Sequence, residues 1–228
     1  MRKIVIKNPL FRFFNTVVYY VIAVPILTVI GKLVFGLKVQ GRSNLRALHG
    51  SGAVVACNHV HNLDCAFLGT LDFPRKNIYT SMEILFDQPV GPLIRILGSV
   101  PVPASISGTR RFLTELADAV RAGRLVCIYP EGELIPYDTK LREFKDGAFN
   151  IAVKAGAPVV PVVITLREQK GLWRVLKRKP CMTITAGSPI YPDPSLEFRP
   201  AVQKLKNLAF TAMSEMQVRN GAVLGKSA

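Results

Sequence analysis

Apolar positions fall into two regimes along this chain. From Phe13 to Gly31, FFNTVVYYVIAVPILTVIG, no residue carries a charge, and the run approaches the roughly 20 residues that a membrane-spanning helix needs. Pro25 interrupts it, and basic residues flank both ends: Arg2, Lys3, Lys7 and Arg12 before, Lys32, Lys38, Arg42 and Arg46 after. The positive-inside rule therefore gives no orientation. A bent or re-entrant helical segment in one leaflet, both ends on the cytoplasmic side, fits that symmetry better than a span; a buried core helix is the alternative. The run exceeds the usual core of a signal peptide and no small-residue cleavage site follows, which argues against a secretory leader.

Beyond Gly36 the pattern changes to short apolar runs separated by Gly, Pro and polar turns. AVVAC (53–57), NIYTS (77–81), RLVCIY (124–129), PVVPVVIT (158–165) and CMTITA (181–186) read as strands, several of them buried on both faces. Helical stretches lie between and after them. In TRRFLTELADAVRAG (109–123), Phe112, Leu113, Leu116, Ala119 and Val120 share one face and Gly123 supplies a stop. GAFNIAVKAG (147–156) and PAVQKLKNLAFTAMSEMQ (200–217) behave similarly. Strands alternating with helices predict an α/β fold with a largely parallel central sheet flanked by helices. The division expected is residues 1–36 as an apolar helical membrane-associating segment and 37–228 as the α/β domain. The basic LWRVLKRK (172–179) reads as a solvated turn or an amphipathic patch near the membrane.

Composition adds a direction. Thirty basic residues against 15 acidic give a formal charge of +15, so the expected partner is anionic. Aromatics gather in the apolar N-terminal segment and no RNA- or DNA-binding motif is present, so membrane lipids and an anionic bilayer surface are expected, and nucleic acid is not. Mean hydropathy of +0.27 is high for a soluble protein. The four cysteines (Cys57, Cys65, Cys127, Cys181) form no CxxC pair and sit in apolar contexts, which reads as buried packing in a reducing compartment.

Candidate chemistry concentrates in CNHVHNLDC, residues 57–65. A metal site needs at least three protein ligands, and beyond His59, His61 and Asp64 only His49 remains as a histidine; no metal is expected. A thiolate–imidazole pair is the second reading, because Cys57 and His59 point to the same face of an extended strand. The third pairs His59 with Asp64 as a base and its orienting carboxylate. Residues five apart do not meet on one helix. The pair therefore requires His59 at a strand end and Asp64 at the start of a helix, and Asn62 and Asp64 are helix-start residues. A polar turn without chemistry fits the stretch equally well. CIYPEGELIP then places Glu131 and Gly132 past another buried strand, and FKDGAFNIA leads Lys145 and Gly147 into a helix.

Together these elements resemble the glycerolipid acyltransferase family over about Val39 to Ile190. Asn58, His59 and Asp64 match its N-H-x-x-x-x-D motif. Tyr129, Pro130, Glu131 and Gly132 match an aromatic-P-E-G block, Phe144 to Ala148 match F-K-x-G-A, and Val160 to Val162 match V-P-V. The resemblance implies acyl transfer from a thioester to a lysolipid hydroxyl, most simply 1-acyl-glycerol-3-phosphate to phosphatidic acid. His59 would be the base and Asp64 its partner, with Asn58, Glu131, Gly132, Lys145 and Gly147 on the substrate side. Backbone N–H groups near Asn58 or Gly132 would face the oxyanion. No resident cofactor is implied; acyl-CoA or acyl carrier protein delivers the chain as co-substrate. The implied location is the cytoplasmic face of the cell membrane. Two departures stand out. Ala104 occupies the place of an arginine, and Glu133 and Leu134 replace a small residue and a second arginine. Lys145, Arg142, Lys140 and Arg110 are candidate substitutes, all but Lys145 reading more simply as surface charge. The alternatives are a different lipid acceptor or a non-catalytic peripheral membrane protein.

Overall fold

Five consecutive residues of AVVAC are buried, and that single strand organises the molecule. The structure, a computed structural model, describes residues 10, 13, 16–48, 50–71, 77–89, 91–176 and 179–221, without the side chains of Trp173 and Leu176. Arg2, Lys3, Lys7, Arg12, Phe14, Asn15 and His49, with Lys177 and Arg178 of the 172–179 patch, lie outside the described residues. Among the described residues the strands are β1 (Lys38–Gln40), β2 (Ala53–Cys57), β3 (Ile78–Met82), β4 (Ser99–Val102), β5 (Leu125–Ile128), β6 (Val159–Arg167) and β7 (Cys181–Ala186). They form one sheet in the order β1-β7-β6-β2-β5-β3-β4. Every pairing is parallel except β6 with β7.

β2 lies between β5 and β6, so both its edges are bonded and both its faces are covered. Val54 and Ala56 point into one layer, Ala53, Val55 and Cys57 into the other. The first layer is filled by α5 (Ile106–Arg121), α6 (Gly147–Ala155) and α8 (Phe198–Arg219). Phe112, Leu116, Phe149, Ile151, Leu205 and Met213 supply its bulk. The second layer holds α2 (Arg42–Arg46) and α3 (Asp64–Leu71), with Leu45, Phe67 and Leu68 buried. Two short helices complete the described elements: α4 (Gly91–Ile96), which packs on β4, and α7 (Leu172–Leu176), between β6 and β7 in the chain. α5 begins three residues earlier than its apolar periodicity predicts, because the Ser105 side chain accepts a hydrogen bond from Gly108 N at 3.2 Å and caps the first turn.

From Thr16 to Phe35 the described part of the apolar N-terminal run is helical without a break. A π-helical stretch, Val18–Ala23, passes directly into α1, Val24–Phe35, with Pro25 in its first turn. Helix precedes Pro25, so the proline removes an N–H that the previous turn would have accepted, and the change from π to α bonding falls at this point. Gly36, in the left-handed region at φ +54°, closes α1. The helix is not a core helix: only 17% of Val18–Phe35 is buried. Tyr19, Val24 and Gly31 are the residues it turns inward, and a Cβ on Gly31 would stand 3.7 Å from Phe67 of α3. Val21, Ile22, Ile26, Val29 and Leu33 face out.

Candidate active site

β2 ends at Cys57, α3 begins at Asp64, and the six residues between them fold around one carboxylate. Asp64 Oδ2 accepts hydrogen bonds from Val60 N at 2.8 Å and His61 N at 2.9 Å, and lies 2.9 Å from His59 Nδ1. The Asp64 N–H in turn donates to His61 O at 3.0 Å. A carboxylate at a helix start that binds the N–H groups before it is a local instruction for the turn, and its fully buried position keeps water from competing. Because an ionised carboxylate only accepts, Nδ1 of His59 carries the proton and Nε2 is left free of it. The His59 side chain is 21% exposed, and its ring stacks on Tyr129 at 3.9 Å between centroids. The structure thus brings His59 and Asp64 together in the strand-end geometry that the spacing demands, at the carboxyl end of the sheet.

β5, the neighbour of β2, delivers the second group. Tyr129, Pro130 and Glu131 follow its last residue, Ile128. Glu131 is buried and forms an ion pair with Arg142, whose Nη2 also donates to Glu133 O at 3.1 Å. Burial pushes the Glu131 carboxyl up to about 7, while Arg142 and the backbone N–H groups of Arg142 and His59 pull it down. Glu131 thereby touches both the loop that carries the base and the loop that carries Arg142. Gly132 has φ +75°, and a Cβ there would stand 2.5 Å from Lys145 Nζ, so the exposed lysine lies directly across the glycine. Lys145 N donates to Pro130 O at 2.8 Å, which closes the base of the loop. Gly147 opens α6; a Cβ on it would meet Leu113 at an ordinary 4.0 Å, so nothing local demands glycine.

Several expectations are corrected. Asn58, expected on the substrate side, is 1% exposed and has its amide on β6: Ile164 N donates to its Oδ1 at 2.7 Å and its Nδ2 donates to Ile164 O at 3.0 Å. It acts as one more rung of the sheet. The Gly132 N–H, expected to face an oxyanion, donates to Tyr129 O at 3.0 Å. His61 is half-buried. Its ring meets Phe35 at 5.0 Å and Tyr137 at 5.6 Å, its Nδ1 accepts from Leu63 N at 3.1 Å, and burial pushes its pKa down. Cys57 is fully buried and burial pushes its thiol up, the opposite of what a nucleophile needs. Arg142, read as surface charge, is only 18% exposed. Lys140 is exposed. Arg110 lines an open cavity of about 440 Å³ with Ala104, Lys154 and Phe198, and no site residue lines it.

Tyr129 and Arg142 are the participants that sequence reasoning undervalued. Tyr129 was visible as the aromatic of its block; Arg142 was named only as one of four candidate cations, since its partner is 11 residues away along an irregular loop. That loop passes through Tyr137 at φ +61°, whose N–H donates to Val60 O at 2.9 Å. The loop after β5 is therefore stitched to the turn after β2.

Comparison with known proteins follows the same residues. The family model described as Acyltransferase matches residues 36–165. A 1-acyl-sn-glycerol-3-phosphate acyltransferase of Bacillus subtilis (strain 168) is 30% identical over 166 residues, 72% of this chain and 79% of the relative. The human 1-acyl-sn-glycerol-3-phosphate acyltransferase beta is 33% identical over 144 residues, 58% of this chain and 48% of its own length, so the match spans about half of that relative. Among solved structures, the 1-acyl-sn-glycerophosphate (LPA) acyltransferase PlsC from Thermotoga maritima superposes with a TM-score of 0.59 at 22% identity, covering 91% of this chain and 87% of that one. That likeness supports the fold.

Proposed function

The chain belongs to the acyltransferase family, and from that premise we propose that it transfers an acyl chain from a thioester to the hydroxyl of 1-acyl-glycerol-3-phosphate, giving phosphatidic acid. The observation that carries the reading is the His59–Asp64 pair, 2.9 Å apart at the carboxyl end of β2 with the imidazole open to one side. In the proposed reaction His59 Nε2 takes the proton of the acceptor hydroxyl as its oxygen attacks the thioester carbonyl carbon. A carbon–oxygen bond forms, the carbon–sulfur bond breaks, and the proton passes from the imidazolium to the departing thiolate. Asp64 holds the tautomer and stabilises the imidazolium. No protein nucleophile is needed, which agrees with the burial of Cys57. The relatives named above supply the acceptor by their names.

The membrane reading rests on the N-terminal helix. Its inward residues, Tyr19, Val24 and Gly31, are spread along its length, so it lies along the domain with its apolar outer face free. We place that face in the headgroup–acyl boundary of one leaflet, on the cytoplasmic side, with the +15 chain drawn to anionic lipid. Such a site meets its lipid acceptor without removing it from the bilayer.

The deciding experiment incubates the purified chain with labelled acyl-CoA or acyl carrier protein and a panel of lysolipids in vesicles. Labelled phosphatidic acid from lysophosphatidic acid is the expected product. Transfer to another lysolipid alone overturns the acceptor, and transfer to none overturns the activity.

A further inference from the structure

The proposed acceptor carries a phosphate monoester, close to doubly charged at neutral pH, and it must sit a few ångströms from the base. Three described cations belong to the loop between β5 and α6: Lys140, Arg142 and Lys145. Lys140 is exposed, and Lys145 reaches over Gly132 with its side chain exposed. Arg142 differs. Its guanidinium is mostly buried and anchored at one nitrogen, Nη2, by the Glu131 carboxylate and by Glu133 O. Its Nε and Nη1 are buried and make no hydrogen bond. The carboxylates nearest to them, Glu133 at 3.3 Å and Asp138 at 3.8 Å, are 61% and 34% exposed.

We propose that Arg142 binds the acceptor's phosphate, entering the site from the far end of the loop that begins at Glu131. The inference rests on the lysophosphatidic acid reading above. A buried guanidinium with two nitrogens lacking hydrogen bonds is an incomplete anion site, because such donors are costly to leave unmade. Glu131 fixes it within reach of His59, whose backbone N–H also favours the Glu131 carboxylate. Glu133 and Asp138 balance the cation when no anion is bound, and their exposure lets them swing into water when the phosphate arrives. The elevated pKa of Glu131 reduces the negative charge that a second anion would otherwise meet. Arginine suits this duty better than lysine, since its fork keeps one nitrogen on Glu131 while others turn to phosphate oxygens.

The test compares Arg142→Gln, Arg142→Lys and Glu133→Gln in the full chain. It measures kcat and KM for lysophosphatidic acid, and Ki for sn-glycerol 3-phosphate with glycerol as control. Arg142→Gln should raise KM and Ki by about tenfold or more, the loss of a charge-assisted hydrogen bond, with kcat changed far less. Arg142→Lys should fall between, and Glu133→Gln, which removes the competing carboxylate, should lower Ki. A drop in kcat with KM and Ki unchanged would mean that Arg142 only props Glu131, and overturns the proposal. If Arg142→Gln does not fold, Glu133→Gln decides, an unchanged or higher Ki being the overturning result. A wild-type chain that acylates other lysolipids only, and ignores glycerol 3-phosphate, overturns the acceptor reading and this proposal with it. A chain active on lysophosphatidic acid with Ki unmoved by Arg142→Gln overturns this proposal alone.

Discussion

Asp64 and Glu131 are both buried carboxylates, and they stand just beyond the ends of adjacent parallel strands. Asp64 gathers its partners from within five residues: the His59 ring and the N–H groups of Val60 and His61 all meet one oxygen. Glu131 depends on a residue 11 positions away. Each carboxylate leaves one oxygen, Asp64 Oδ1 and Glu131 Oε1, buried without a hydrogen bond. Burial dominates its ionisation and lifts it to about 7. The first carboxylate is built by the turn it terminates. The second is built by the return of a long loop. One is fixed by contacts local in the chain, and the other by a distant cation whose own bonds are unfinished.

That contrast can be broken in order of expected size. His59→Ala should reduce acyl transfer by about 10²–10⁴-fold, the usual contribution of a positioned general base, with the melting temperature nearly unchanged; substantial turnover in a labelled-product assay would remove His59 from the mechanism. Asp64→Ala should damage activity and fold together. It leaves the Val60 and His61 N–H groups without their acceptor, a cost of about 2–4 kcal/mol from two unmade hydrogen bonds, readable by denaturant titration. Loss of activity without loss of stability would contradict the turn-building role.

Glu131 predicts a pH signature instead. Its folded-state pKa lies above the ordinary glutamate value, so its contribution to stability is complete below about 4.5 and is lost as pH rises through about 7. Wild-type protein should lose melting temperature across that window relative to Glu131→Gln, which lacks the titrating group. Parallel curves for the two would show that the carboxylate is not desolvated. Cys57→Ala should have the smallest effect: about 1 kcal/mol of stability, typical of a modest core change, and unchanged turnover. An activity loss with a trapped acyl-enzyme would restore the thiol as nucleophile.

The same contrast explains what could be read in advance. β2, β3, β5, β6 and β7 were legible because each is a run of apolar, aromatic or β-branched residues between turns. β6 survives Pro161 because β7 leaves the ladder there: their pairing stops at Val162 with Ala186, and Gly187 N donates to Pro161 O instead. β1 and β4 were not legible. Both are edge strands, β1 only three residues long and alternately exposed, β4 carrying Pro101. Spacing set only the condition for the His59–Asp64 pair, a strand-end turn, and the motifs of the second half with the family resemblance selected it. The burial of Arg142 and His61 could not be read because their surroundings, Glu131 for one and Phe35 with Tyr137 for the other, come from distant parts of the chain.

Asn58 gives the base its precision. β2 ends at Cys57, yet the amide of the next side chain imitates a peptide group and continues the bonding to Ile164 for one residue more. The positional freedom that a loop normally gains on leaving a sheet is thereby postponed, and it begins at His59 with one ring nitrogen already tied to Asp64. An imidazole held from both directions loses little entropy when the reaction demands a single orientation, and that saving appears as rate.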